Sequence, residues 1–231
     1  QEKHLSASTI KTELAAIRFF HDNMPYTRET LPTNAELELK RRTFGGVDRT
    51  WSAREFNLML AAAMETGHKD YLAIFSLARY AGLRLEECFR TDTNDASKAI
   101  ESGKLFVKGK GGLTRYIPIN ETIRISMRDM LKVTPKGQKL FVSPDDKIHL
   151  AMKRLQCFIA YHRKSFTDNK ITFHGLRHSV ASMLILKGWQ MKEISEWLGH
   201  SDIGTTMNIY GHIDMEHKRE LGHTLNGLLD D

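Results

Sequence analysis

The sequence predicts a mostly helical α+β fold with a small antiparallel sheet near the middle of the chain. Apolar residues recur at helical spacing along most of the 231 residues. Residues 104–119 break this pattern with two strand-like runs on either side of the glycine-rich turn Gly109–Gly112, which is typical of a β-hairpin. The chain is 41% hydrophobic and 27% charged, the balance of a globular protein with enough apolar material for a core.

The composition also excludes several classes of protein. No apolar run approaches the ~20 residues that cross a bilayer, and no leader-like segment opens the chain, so we expect neither a membrane protein nor a secreted one. The two cysteines, Cys88 and Cys157, are too few for a disulfide framework or a zinc cage. Both lie in apolar helical contexts, so we expect buried free thiols and a reducing, cytoplasmic setting.

The chain is predicted to divide into a leading helix, a linker and one larger domain. Ser8 or Thr9 can cap an amphipathic helix over residues 8–24, whereas residues 25–50 lose periodicity as an inter-domain linker does. A single helix cannot bury its own apolar stripe, so we expect it to be the remnant of a truncated N-terminal domain or a packing arm. The larger domain is expected to span residues 51–231.

Local signals place the helices of the larger domain. Ser52 and Glu55 are spaced as a capping box at its start. Gly82, Gly188 and Gly199 are suited to end helices. A short helix or turn is predicted at residues 83–90. Helices are predicted at residues 52–66, 71–81, 121–132, 146–165, 174–187, 191–198, 203–210 and 214–228.

The positive charge is concentrated in the middle of the chain. The formal net charge is +6, and residues 101–170 alone contribute +9 from 15 basic and 6 acidic residues. A basic surface confined to one segment is typical of a protein that binds a polyanion, most often a nucleic acid. A solvated lysine-rich face accounts for the charge equally well.

The densest cluster of chemically capable residues lies at residues 172–178. Thr172 is placed to cap a helix, which puts His174 and Arg177 on one face of its first turns, where backbone N–H groups, an imidazole and a guanidinium favour an anion. His174 and His178 also have the spacing of zinc-binding helices, but the glutamate of that motif is missing and Arg177 would repel a cation. A capped core helix with incidental histidines is the remaining alternative.

Two basic residues earlier in the chain are further candidates. Arg84 follows the helix end at Gly82 and is flanked by leucines, so its guanidinium needs a partner, either a carboxylate such as Glu87 or a phosphate. Lys110 lies on the glycine-rich turn, from which a cationic acid can reach into a substrate groove. Lys108 is the nearest competitor for that role, and a lysine on such a turn is otherwise simply exposed.

His200 and Tyr210 complete the set of candidates. The helix end at Gly199 places His200 in a turn, and a short helix then leads to Tyr210, which alone is typical of a half-buried core tyrosine. Five motifs thus follow one another along the chain: Arg84 in G-L-R-x-x-E, Lys110 on a hairpin, His174 and Arg177 in H-x-L-R, His200 in L-G-H, and Tyr210 ten residues later. In this order they resemble the tyrosine recombinase (phage integrase) family from about residue 51 to the C-terminus. The stretch L-G-H-x-x-I-x-T-T is most similar to integrases of mobile elements.

The resemblance implies a fold. Residues 51–231 would form a tyrosine recombinase catalytic domain, whose small antiparallel sheet carries the β-hairpin. The segment 1–24 would be the C-terminal helix of a truncated core-binding (SAM-like) domain, with residues 25–50 as the inter-domain linker.

The resemblance also implies a chemistry, the site-specific cleavage and rejoining of DNA without metal, ATP or another cofactor. The family's tyrosine attacks a DNA phosphate, displaces a 5′-hydroxyl and leaves a 3′-phosphotyrosine bond that stores the energy for rejoining. Fixed cations stabilise the transition state in place of a metal ion. By this resemblance Tyr210 would be the nucleophile and Lys110 the general acid, while Arg84, Arg177 and His200 would bind the phosphate. His174 would act as a base or as a phosphate ligand. Glu87 would orient Arg84 or have a purely structural role, and His178 would contribute packing or support.

The implied partner is double-stranded DNA with a recombination site, at which a mobile element is integrated or excised. The enzyme would act as a homo-tetramer through a Holliday junction, with the leucine-bearing tail 217–231 packing onto a neighbouring protomer or onto its own domain. A directionality factor and a prokaryotic, nucleoid-associated location are further expectations. A type IB topoisomerase-like enzyme and a DNA-binding regulator without catalysis are the alternatives. The expected DNA-binding residues are Arg41, Arg42, Lys108, Arg115, Lys153, Arg154, Arg163 and Lys164.

Overall fold

The computed structural model describes residues 7–24, 31–39, 50–200, 202–211, 213 and 215. The chain divides into two compact units, Gln1–Phe44 and Gly45–Asp231. The first unit contains helix α1 (Ala7–Asp22). Among the described residues, no helix is both long and apolar enough to cross a bilayer.

In its described residues the second unit is mostly helical with one two-stranded antiparallel sheet, which confirms the predicted fold class. The sheet pairs β1 (Lys104–Lys108) with β2 (Thr114–Pro118). The helices are α2 (Ala53–Glu65), α3 (Lys69–Ala81), α4 (Leu85–Arg90), α5 (Thr93–Ser102), α6 (Glu121–Val133), α7 (Ile148–His162), α8 (Phe173–Leu186) and α9 (Met191–Leu198). Residues 203–211 are helical as well.

The helix ends explain how the chain presents its candidate residues. The predicted capping box forms at α2, where the Ser52 Oγ accepts from the Glu55 N–H at 3.1 Å and the Glu55 carboxylate accepts from the Ser52 N–H at 2.9 Å. Gly82 and Gly199 have the left-handed φ values of 67° and 64°, which glycine adopts without steric cost. These two turns end α3 and α9 immediately before the segments that carry Arg84 and His200.

Helix α5 is missing from the sequence prediction. Its inward side consists largely of small residues such as Ala96 and Ala99, which give little hydrophobic periodicity. The signal that remains is the capping at its ends, with the Asp92 carboxylate accepting from the N–H groups of Asn94 and Asp95 and Gly103 at φ 72°. Capping residues therefore define this helix where apolar spacing does not.

The core is built around α3, which packs against α6 and α8 and buries Ile74, Phe75 and Leu77. A second, smaller apolar cluster joins the end of α8, helix α9 and Tyr210. The expectation of two buried thiols is half wrong, because Cys88 is buried and Cys157 is exposed on α7. The predicted helix at 214–228 falls almost entirely outside the described residues, as does most of the predicted linker.

Candidate active site

Arg84 stands at the N-terminus of α4, between a carboxylate and the end of α9. Its Nη1 donates to the Glu87 Oε1 at 2.9 Å, and the same carboxylate accepts from the Arg84 backbone N–H at 2.8 Å. Its Nη2 donates to the Gly199 carbonyl oxygen at 2.9 Å, and its Nη1 lies 3.4 Å from that of Leu198. The guanidinium is therefore held from two sides.

Arg177 is the most deeply buried cation of the site, with 1% of its surface exposed. Its Nη1 donates to the Gly82 carbonyl oxygen at 2.8 Å, and its Nη2 donates to the Leu198 carbonyl oxygen. Burial, followed by the charge of Arg84, lowers the pKa of Arg177 to about 9. The guanidinium therefore stays protonated at neutral pH.

The Leu198 carbonyl oxygen brings the two arginines together. It accepts from Nη1 of Arg84 and from Nη2 of Arg177, although the two residues lie on different helices. Each guanidinium has five N–H donors, so the carbonyl groups orient the pair without using all of its hydrogen-bonding capacity. Such a pair is suited to an anion with two or more oxygens.

His200 follows the turn at Gly199 and lies near this pair. Its Nδ1 is 2.7 Å from the Oγ1 of Thr206, which is fully buried. Burial, together with the charges of Arg177 and Arg84, lowers the pKa of His200 to about 3. The imidazole is therefore neutral at physiological pH, and if Nδ1 accepts from Thr206, Nε2 carries the ring proton.

Tyr210 is buried beside these groups, with 4% of its surface exposed. Its hydroxyl lies 2.5 Å from the Nδ1 of His178, and the two rings make an edge-to-face contact at 5.5 Å between centroids. Burial raises the pKa of Tyr210 to about 12, partly opposed by the charge of Arg177. The histidine on the tyrosine hydroxyl is thus His178, whereas the family resemblance offered His174 either as this base or as a phosphate ligand. The His174 ring makes an edge-to-face contact with His178, with 4.8 Å between the ring centroids.

Arg115 is placed differently from its predicted role as a DNA contact. Its Nη1 and Nη2 donate to the two carboxylate oxygens of Glu87 at 3.0 and 2.8 Å, and the two side chains are only 9% and 4% exposed. Burial alone raises the pKa of Glu87, but the hydrogen bonds and charges of Arg115 and Arg84 more than offset this and hold it below its ordinary value. No local pattern in the sequence indicates this pair, because its partners lie on two separate elements, α4 and β2.

The other predicted basic residues have varied surroundings. Lys110 begins a single 3-10 turn, Lys110–Gly112, at the tip of the hairpin, and its side chain lies outside the described residues, as do Arg41 and Arg42. Lys108, Lys153 and Lys164 are exposed, whereas Arg154 pairs with Asp146 and Arg163 donates to the carbonyl oxygen of Asn169.

A cavity of about 540 Å³ opens beside Arg84 and His174. Helix α7 and residues 170–173 form its wall, and Arg163 and Lys170 line it as well. Lys170 was not among the predicted site residues. It lies two residues before the N-terminus of the helix that carries His174 and Arg177, and this position could have indicated a further cation of the anion site. The cavity therefore continues the positive site outward.

Comparison with known proteins gives these residues a context. The model of the phage integrase family matches residues 51–217. The chain is 27% identical over 230 residues to a tyrosine recombinase XerC of Escherichia coli O157:H7, covering 94% of this chain and 74% of the relative. It is 30% identical over 218 residues to a XerC of Caldanaerobacter subterraneus subsp. tengcongensis, covering 90% of this chain and 60% of the relative.

Solved structures share the fold. The Tn1549 transposon integrase in complex with transposon right end DNA matches with a TM-score of 0.72 at 17% identity, over 97% of this chain and 81% of that one. The XerH site-specific recombinase bound to a palindromic difH substrate matches with a TM-score of 0.64 at 19% identity, over 94% of this chain and 67% of that one. The family match spans most of this chain, which therefore belongs to the phage integrase family and is a tyrosine recombinase, an enzyme of site-specific DNA recombination.

Proposed function

We propose that this recombinase cleaves and rejoins DNA strands through a 3′-phosphotyrosine intermediate formed by Tyr210. One observation carries the proposal: Arg84 and Arg177 share the Leu198 carbonyl oxygen, and Tyr210 is close enough to Arg177 for the charge of Arg177 to act on its pKa. A phenol beside two oriented guanidinium groups is suited to attack a phosphodiester that those groups hold.

The charges of the site suit the transition state of this reaction. Arg84, Arg115 and Arg177 face one carboxylate, that of Glu87, which leaves an excess of positive charge. A phosphodiester carries one negative charge, and its pentacoordinate transition state gathers a second on the non-bridging oxygens. Arg84, Arg177 and the Nε2–H of a neutral His200 would bind those oxygens, and the loss of one such donor typically lowers the rate by ~10²–10³-fold.

We propose the following proton movements. The Tyr210 oxygen forms a bond to phosphorus while its proton passes to the Nδ1 of His178, 2.5 Å away. The bond from phosphorus to the 5′-oxygen breaks, and that oxygen takes a proton from Lys110 on the hairpin turn. His174 is then assigned to the phosphate rather than to the phenol. Rejoining reverses these steps and needs no ATP, and the fixed cations take the place of a metal ion.

A set of basic residues would hold the duplex around this site. They are Lys108, Lys153, Arg154, Arg163 and Lys164, to which the cavity adds Lys170 and the sequence adds Arg41 and Arg42. The L-G-H-x-x-I-x-T-T motif supports a role in integrating or excising a mobile element. We further propose a homo-tetramer on DNA with tail exchange through residues 217–231, an accessory directionality factor, and action in a prokaryotic cytoplasm.

A suicide DNA substrate, which traps the covalent intermediate, tests the proposal. The wild-type protein should form an adduct at a specific phosphate, in the presence of EDTA as well. Tyr210→Phe should abolish the adduct and leave DNA affinity unchanged, because it removes only the nucleophilic oxygen. Tyr80→Phe, at a half-exposed tyrosine of α3, is the matched control and should cleave as the wild type does. An adduct that persists in Tyr210→Phe would exclude Tyr210 as the nucleophile.

A further inference from the structure

The Arg115 side chain has a role in the site that a DNA contact does not explain. We propose that Arg115 is a positioning residue, which acts through Glu87 to keep Arg84 oriented for phosphate binding. This inference rests on the function proposed above, because it concerns the same phosphate site. The bidentate Arg115–Glu87 pair would thus keep the first arginine in place during the reaction.

The contacts of Arg115 leave it little opportunity to reach DNA. Two of its nitrogens are engaged by Glu87 at 3.0 and 2.8 Å, and 9% of the side chain is exposed. Its remaining nitrogen, Nε, is buried and finds no hydrogen-bond partner within the described part of the chain. The guanidinium is therefore turned toward Glu87, whose carboxylate takes the place that a phosphate would occupy.

Arg115 also joins three of the elements that build the phosphate site. It lies on β2, directly after the hairpin turn that carries Lys110, and it pairs with Glu87 on α4. At the end of α9 it packs so closely on Gly199 that a Cβ built there would lie 2.5 Å from Nη1 of Arg115. The Gly199 carbonyl in turn accepts from Arg84. One side chain thus joins the hairpin, the first arginine and the turn before His200.

The charges explain how Arg115 controls Arg84. The Glu87 carboxylate now accepts from Arg115 through both of its oxygens, and its Oε1 also accepts from Nη1 of Arg84. Arg84 reaches the carbonyl groups of residues 198 and 199 as well. Without Arg115, a buried carboxylate would be left with one cation, and a carboxylate prefers to bind a guanidinium through both oxygens. Arg84 would then be drawn toward Glu87 and away from the carbonyl groups that it shares with Arg177.

Three substitutions test this mechanism in single-turnover cleavage of a suicide substrate at saturating DNA. Arg115→Met should lower the rate of cleavage by ~10²-fold, which is the cost of misplacing a reacting group by about 1 Å. Arg115→Lys keeps the positive charge but contacts the carboxylate at a single point. Its rate of cleavage should lie between that of Arg115→Met and that of the wild type. The double variant Arg115→Met/Glu87→Gln removes the carboxylate charge that captures Arg84, and it should cleave no more slowly than Glu87→Gln alone.

The DNA affinity separates positioning from a direct contact. A residue that neutralises one phosphate lowers the slope of log K against log[salt] by about 1 when it is removed. Arg115→Met should leave that slope unchanged while the rate of cleavage falls. Lys104→Met is the matched control, because it removes an exposed positive charge from the same hairpin and should retain the wild-type rate. Circular dichroism and thermal melting of each variant establish that it is folded.

The outcomes distinguish a failure of the proposed function from a failure of the role proposed for Arg115. A wild-type protein that forms no adduct overturns the proposed function and this inference with it. If the wild type forms the adduct and Arg115→Met cleaves at the wild-type rate, only the inference fails. It also fails if the salt slope of Arg115→Met drops by one, or if the losses of Arg115→Met and Glu87→Gln multiply in the double variant.

Discussion

At the scale of single residues, burial decides the protonation states from which the reaction starts. It raises the pKa of Tyr210 to about 12 and, with the charges of Arg177 and Arg84, lowers the pKa of His200 to about 3. Both side chains are therefore neutral at physiological pH. The phenol needs an acceptor for its proton, which His178 provides, and the neutral imidazole can serve as a hydrogen-bond donor without titrating during the reaction.

The pKa of His200 predicts a pH dependence of stability. Its pKa in the folded state, about 3, lies below the ordinary value of 6.5, so the unfolded chain binds the extra proton between these values. The stabilisation is complete above about pH 6.5 and is lost as the pH falls toward 3. The slope for one group is at most ~1.4 kcal/mol per pH unit, and solvent screening of the half-buried ring reduces it.

Urea unfolding between pH 7.5 and 4.5 measures this effect. The free energy of unfolding should fall less steeply on acidification in His200→Gln than in the wild type, because glutamine takes up no proton. His149→Gln, at an exposed position of α7, should keep the wild-type slope. Parallel declines in wild type and His200→Gln would contradict the prediction.

Some of the single residues of the site could be predicted from the sequence, and others could not. Arg84 and Arg177 were expected to bind an anion because of their types and local settings, and the structure brings them together. Arg115 was assigned to DNA because it lies in the basic segment 101–170. Its pairing with Glu87 depends on how β2 packs against α4, and no local pattern encodes that. Likewise, only the packing of α8 against residues 203–211 decides that His178 rather than His174 meets Tyr210.

At the scale of elements, the helix ends were predictable because they depend on one or two residues. The capping box of α2 and the glycine turns after α3 and α9 form where the sequence places them. Helix α5 was missed because alanine gives a weak apolar signal. At α8 Thr172 holds the expected N-terminal position, but its side chain makes no capping bond, and its carbonyl oxygen accepts from the Trp51 indole at 2.8 Å.

The turn at Gly199 predicts a difference between two glycine substitutions. Gly199→Ala and Gly188→Ala both place a side chain at positive φ, 64° and 82°, which costs roughly 1–2 kcal/mol. At Gly199 the new Cβ also meets the Arg115 guanidinium, whereas at Gly188 no atom lies within 4 Å among the described residues. Gly199→Ala should therefore lose more stability and should also slow cleavage, because the shift of Arg115 disturbs Glu87.

Thermal melting and single-turnover cleavage check this pair of variants together. Gly188→Ala serves as the control, since it should lower the melting temperature and keep the wild-type cleavage rate. Equal losses of stability and unchanged cleavage in both variants would show that the contact between Gly199 and Arg115 is unimportant.

At the scale of the whole molecule, the basic segment 101–170 supplies the hairpin and α7. Both lie next to the phosphate site: the hairpin through Arg115 and α7 through the wall of the cavity beside Arg84. The sequence showed where the excess charge is concentrated, but not that the charge of Arg115 is held in a buried ion pair with Glu87. The charge available to a duplex is therefore smaller than the count suggests.

This distribution predicts the salt dependence of DNA binding. Lys153→Met removes an exposed charge from α7 and should lower the slope of log K against log[salt] by about 1, with no change in the rate of cleavage at saturating DNA. Lys98→Met, at an exposed position of α5 outside the basic segment, should leave the slope as it is. Binding measured between 50 and 300 mM salt gives both slopes, and identical values for the two variants would place α7 away from the duplex.

The Leu198 carbonyl oxygen affects how the site tolerates amino-acid substitution. The acceptor that couples both arginines belongs to the main chain, so replacing the side chain at this position leaves the acceptor itself in place. Alanine scanning would record only lost packing there and would overlook the anchor. The last turn of α9 carries that oxygen, so a displacement of the turn acts on both guanidinium groups at once.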